Sequence, residues 1–141
     1  MSKIKINDGL KTYDIVNQDD KLLGQFSFNP SDTGFIRRYE DVIAEIDKKV
    51  SETPDNEMTE EENIKFLLEF EDYIKEKVDY IFNSNISETF FSIMGACTPL
   101  PTGNLFYTEV LNAIGGAIQM ETGTRVKKVS SKVQKYTSKY N

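Results

Sequence analysis

The sequence predicts an α+β fold: a small N-terminal antiparallel sheet, then a bundle of three to four helices and a basic C-terminal tail. Two observations carry that prediction. Apolar residues recur at every second position before Asn29-Pro30 and at helical spacing after it. Charge is also segregated, because residues 125–141 hold six basic side chains and no acidic one, leaving 11 basic against 23 acidic residues, a net −12, on residues 1–124. With 141 residues, 38% hydrophobic and 11% aromatic, the chain is long and apolar enough for a single domain over 1–124 without disulfides.

The first 29 residues read as strands. Ile4 and Ile6 alternate with Lys3 and Lys5, Asp8-Gly9 supplies a turn, and Tyr13 and Ile15 resume the alternation. After the polar turn Asn17-Gln18-Asp19-Asp20, the run Leu22–Phe28 is a further strand with Phe26 and Phe28 on one face, stopped by Asn29-Pro30. The acidic turn lacks the alternating oxygen ligands, glycine and closing glutamate of a calcium loop.

Ser31 or Asp32 caps a first helix running to about Val50, with Phe35, Ile36, Tyr39, Val42, Ile43, Ile46 and Val50 at helical spacing. The polar stretch Ser51–Met58, with Pro54, is a linker. Thr59 and Glu62 form a capping box that opens a second helix to about Phe82. Its apolar residues, including Ile64, Leu67, Leu68, Phe66, Phe70, Tyr73 and Tyr80, cover roughly 240° of the helix, far more than the 100° stripe a surface helix needs. Part of that surface is available for another chain. Asn85 or Ser87 starts a third helix, in which Cys97 is core, and Thr98–Asn104 breaks it. A fourth runs through Phe106, Val110, Leu111, Ile114 and Ile118, where Gly115-Gly116 either admits close packing or marks a bend. In the tail, Val126, Val129, Val133, Tyr136 and Tyr140 repeat at 3-4 spacing, a narrow seam suited to a neighbouring element.

The chain has no histidine and one cysteine, so it lacks the commonest general base, any Cys-His or Ser-His pair and the usual zinc clusters. Neither glycine-containing segment has the lysine and spacing of a phosphate loop, and the acidic residues fall mostly at helix-surface spacing. No enzyme, metal or cofactor is expected. Lys3, Lys5 and Asp8 interrupt any signal-peptide pattern, and Glu109, Asn112 and Gln119 interrupt the longest apolar stretch, so the expected compartment is the cytosol and no membrane span is expected.

The segment Phe26-Ser27-Phe28-Asn29-Pro30-Ser31-Asp32-Thr33-Gly34-Phe35, the Arg38-Tyr39 helix, Ile74–Phe82 and the closing Lys-Tyr tail resemble the tail assembly chaperones of long-tailed phages and prophages of Gram-positive bacteria. The resemblance covers most of the chain in element order. It implies a non-enzymatic protein of the host cytoplasm that binds the helical tape measure protein, keeps it soluble, and is displaced as tail tube subunits polymerise. In such families ribosomal frameshifting often yields a longer product. A wide apolar helix face can cover the apolar helices of a tape measure protein, which makes Phe66, Phe70, Tyr73 and Tyr80 the candidate contacts on the body and Val126, Val129, Val133, Tyr136 and Tyr140 those on the tail. A homo-oligomer is expected, since the basic tail can dock on the acidic body of a neighbour. Two other readings stand beside this one. One is a structural tail or head-completion subunit, although a tube protein needs more strand than this pattern offers. The other is an acidic inhibitor of a host nucleic-acid-binding protein, although basic residues are interspersed among the acids. Nucleic-acid binding by the tail through Tyr136 and Tyr140 is disfavoured by the net charge of −6.

Overall fold

The computed structural model describes residues 2–53 and 59–126. Two strands, β1 (Lys11–Val16) and β2 (Leu22–Phe28), form an antiparallel hairpin, followed by α1 (Thr33–Glu52), α2 (Glu60–Phe82), the five-residue α3 (Ser87–Phe91) and α4 (Phe106–Val126). This is the α+β order the hydrophobic periodicity predicts. The hairpin pairs Tyr13 with Phe26 and Lys11 with Phe28, so the aromatic side chains share one face while Thr12–Ser27 and Asp14–Gln25 hydrogen-bond across the other. The Asn17 carboxamide holds the connecting turn, accepting from the amides of Asp19 and Lys21, and Asp20 takes the left-handed conformation with φ 60°.

The strand expected at Ile4 and Ile6 is absent. Asn7 and Asp8 instead form successive side-chain turns, accepting from the amides of Gly9 and Leu10, and Gly9 sits at φ 69°. Residues 2–10 have no regular structure, and Ile4 and Ile6 are 91% and 81% exposed. Alternation alone does not make a strand when neither face is buried.

Asp32 caps α1 by accepting from Gly34 N at 2.9 Å. The capping box at Thr59 and Glu62 is present at the head of α2, and Asn83, left-handed at φ 51°, closes its C-terminus. The third helix is shorter than its apolar content suggests. Asp79 reaches from α2 to bond both the amide and the hydroxyl of Ser87, and the chain leaves helical geometry after Phe91. Cys97 is core, as its surroundings in the sequence imply.

One core joins all these elements. Phe28, Phe35, Ile36, Val42, Ile74, Val78, Ile81, Phe90, Val110 and Ile114 are buried together. Between the hairpin and the helices lies an aromatic cluster in which Phe26 and Phe28 meet Phe82 edge-on, Phe26 meets Phe90, and Phe28 meets Phe35. Such oriented pairs contribute beyond the area they bury. Arg38 Nε donates to the Ile81 carbonyl at 2.9 Å, tying α1 to the end of α2.

Helix α4 is attached by long-range contacts. Tyr39 donates to the Leu111 carbonyl at 2.9 Å, Thr122 donates to the Pro30 carbonyl, and Lys11 of β1 pairs with Glu121. A Cβ on Gly115 would lie 2.6 Å from the Tyr39 hydroxyl oxygen, whereas one on Gly116 would meet nothing. The glycine pair thus permits close approach at its first member alone. α4 takes in Arg125 and Val126, the first two residues of the basic segment.

Candidate interaction groove

Residues of the hairpin and of α4 line a cleft of about 760 Å3. Tyr13 to Gln18, from β1 into the turn, form one wall, and Phe106, Val110, Ala113, Ile114 and Ala117 of α4 form the other. Phe26, Phe28 and Phe90 floor it, and Ile93, Met94, Leu100 and Pro101 add apolar surface from the α3–α4 connection. Its polar and charged lining residues are Asp14, Asn17, Gln18, Thr102 and Glu109. The Lys11–Glu121 ion pair spans from β1 to α4. A cleft of this size with an apolar lining and a few polar groups is the ordinary form of a binding site.

Local sequence makes the cleft. Alternation in the hairpin turns Tyr13, Ile15, Phe26 and Phe28 to one face, and the left wall of α4 presents small Ala113 and Ala117 where larger side chains would fill the space. The isolated bridge between Pro99 and Leu105 and the backbone bond from the Leu100 amide to the Asn104 carbonyl hold the connecting loop in place. Glu109 accepts from Thr102 and from Asn104, fixing that loop to the first turns of α4.

The candidate contacts on α2 divide differently from the sequence reading. Phe70 is buried at 5% exposure and belongs to the core, so its ring is not presented to a partner. Phe66 and Tyr73 are half-buried and stack on either side of it with centroids 5.7 and 5.9 Å away. Tyr73 is further flanked by the Lys49 and Lys77 ammonium groups, 4.5 and 5.5 Å from its ring centre, which gives it a structural task between α1 and α2. Of the four, Tyr80 is the exposed one, at 49%. The surplus apolar surface of α2 is carried instead by Ile64, Leu67 and Leu68, which are 58%, 41% and 58% exposed. On the tail, Val126 ends α4, and Val129, Val133, Tyr136 and Tyr140 lie outside the described residues.

The titratable groups near the core are restrained rather than poised. Burial, and then the nearby Glu71 carboxylate, push the Cys97 thiol up to about 11, and burial also raises the Tyr39 and Tyr107 phenols. Glu71 accepts from the Cys97 amide at 3.2 Å. Lys77 is raised chiefly by its hydrogen bond to Glu45. Among the described residues no group of three or more cysteine or carboxylate side chains could hold a metal ion, and no helix is long and apolar enough to cross a membrane. Sequence reasoning missed the groove because its two walls are about 100 residues apart in the chain; the run of small residues Ala113, Gly115, Gly116 and Ala117 in α4 was the available signal. Compared with family models, with curated proteins and with solved structures, the chain finds no match.

Proposed function

We propose that this protein is a non-enzymatic tail assembly chaperone that holds apolar side chains of the tape measure protein in the groove between the hairpin and α4. The observation that carries the reading is the groove itself, an apolar cleft of about 760 Å3 open beside a well-filled core. A helix laid along α4 would insert one row of its apolar side chains there, the usual way a groove captures an amphipathic helix. The exposed Ile64, Leu67 and Leu68 offer a second apolar strip for a long client. In this role the protein acts in the host cytoplasm, gives up its client as tail tube subunits polymerise, and does not enter the mature virion.

Co-expression with the tape measure protein tests it. The full chain is expected to keep that protein soluble and to co-purify with it, and Ala113→Glu with Leu23→Glu, a β2 residue that also lines the cleft, is expected to weaken the complex at least about tenfold by placing charge where apolar groups must dock. A client that stays insoluble with the intact chain, or a complex indifferent to both substitutions, would refute the reading.

A further inference from the structure

The leading segment and the groove are unsatisfied in complementary ways. Ile4 and Ile6 are spaced to share one side of an extended chain, yet they are 91% and 81% exposed, and Leu10, beyond the turns at Asn7 and Asp8, is 58% exposed. Lys3 and Lys5 fall on the opposite side. The root of the segment is fixed, because Asn29 Nδ2 donates to the Asp8 carbonyl at 3.0 Å and Asn7 and Asp8 close the turns before Leu10. Residues 2–6 lie beyond those bonds and, fully extended, reach about 17 Å. The groove is lined by Ile15, Phe26, Val110 and Ile114, and its lining residues include Asp14, which also accepts from Gln25, and Glu109, which also accepts from Thr102 and Asn104.

We infer that residues 2–10 of one copy of this chain occupy the groove of a second copy, with Ile4 and Ile6 on the apolar lining and Lys3 and Lys5 facing Asp14 and Glu109. Each copy carries one arm and one groove, so a reciprocal exchange closes a twofold pair and leaves neither feature open. The apolar burial supplies the attraction, and the charge pairing sets the direction in which the arm lies. The occupant is a second copy rather than the arm's own body because the Asp8–Asn29 anchor leaves Ile4 and Ile6 standing in solvent in the single chain. The inference uses the groove of the proposed function but needs no client to be present.

Sedimentation velocity on the full chain, over a range of concentrations, tests it. A concentration-dependent dimer is expected, weakened at least about 100-fold by Ile4→Asp with Ile6→Asp. Those side chains are exposed, so the double variant folds as the parent does. Lys3→Glu with Lys5→Glu is expected to weaken the dimer and Asp14→Lys with Glu109→Lys to restore it, whereas deletion of residues 127–141 is expected to leave the arm contribution in place. A chain that stays monomeric, an arm that binds its own groove independently of concentration, or a dimer unaffected by the isoleucine substitutions would each overturn the inference. Because the arm variants leave the groove unaltered, losing the dimer while retaining the client separates this inference from the chaperone reading.

Discussion

Tyr39 shows how one side chain settles the meaning of two glycines. Its hydroxyl is held by the Leu111 carbonyl and lies where a Gly115 Cβ would have to go, while the space beside Gly116 is empty. Gly116→Ala is therefore expected to stabilise the protein by about 0.5–1 kcal/mol through helix propensity alone, and Gly115→Ala to lose that gain or reverse it. In a Tyr39→Phe background the clash disappears, so Gly115→Ala should recover about 1 kcal/mol relative to its effect in the parent, a coupling that urea denaturation of the four proteins measures. Cys97 makes a second prediction at this scale. Its folded thiol titrates at about 11 against an ordinary 9.0, so the folded state holds the proton more tightly. The stability linked to it is complete below pH 9 and falls as pH rises from 9 towards 11, which equilibrium unfolding with and without Cys97→Ser resolves. At pH 8 the same thiol should react with Ellman's reagent only as fast as the protein opens.

Helix α2 separates what the sequence disclosed from what it withheld. Its start at Thr59 was legible because a capping box is a local arrangement, complete within four residues. Thr59→Ala is expected to lower stability by about 1 kcal/mol. The direction of its aromatic residues was not legible, since Phe66, Phe70 and Tyr73 look as suitable for a partner as for a core until α1 supplies Lys49 and α4 supplies Tyr107. Phe70→Ala should cost about 3–5 kcal/mol, whereas Tyr80→Ala and Leu68→Lys should each stay within about 0.5 kcal/mol, as thermal unfolding would report. The segment around Ile4 and Ile6 failed in the opposite sense. Its period-2 pattern was real, but pairing is decided by tertiary neighbours that a local pattern does not contain. Of the segments on which the resemblance was read, those before the tail lie in the scaffold, with Asp32 capping α1 and Arg38 bonded to Ile81.

For the whole molecule, charge remains the feature that composition alone revealed. Residues 127–141 lie beyond the described part of the chain, yet they carry five of its basic groups against a net-acidic body. Removing them is expected to weaken client binding and self-association in a salt-dependent manner, and Val129→Asp with Val133→Asp should do more harm than Lys127→Ser with Lys128→Ser, because exposed charge pairs contribute little individually. Light scattering with and without 0.5 M salt, a concentration at which screening lengths are about 4 Å, checks both statements. The long-range attachment of α4 also orders events in time. The hairpin and the α1–α2 pair are assembled from neighbours in sequence, but Lys11 meets Glu121 across 110 positions and Pro30 meets Thr122 across 92. During synthesis the early part of the chain can collapse around Phe28, Phe35 and Phe82 well before α4 has left the ribosome. One wall of the cleft does not yet exist at that stage. Under the proposed function, a nascent chain cannot seat a client in the cleft until α4, the last helix among the described residues, has emerged.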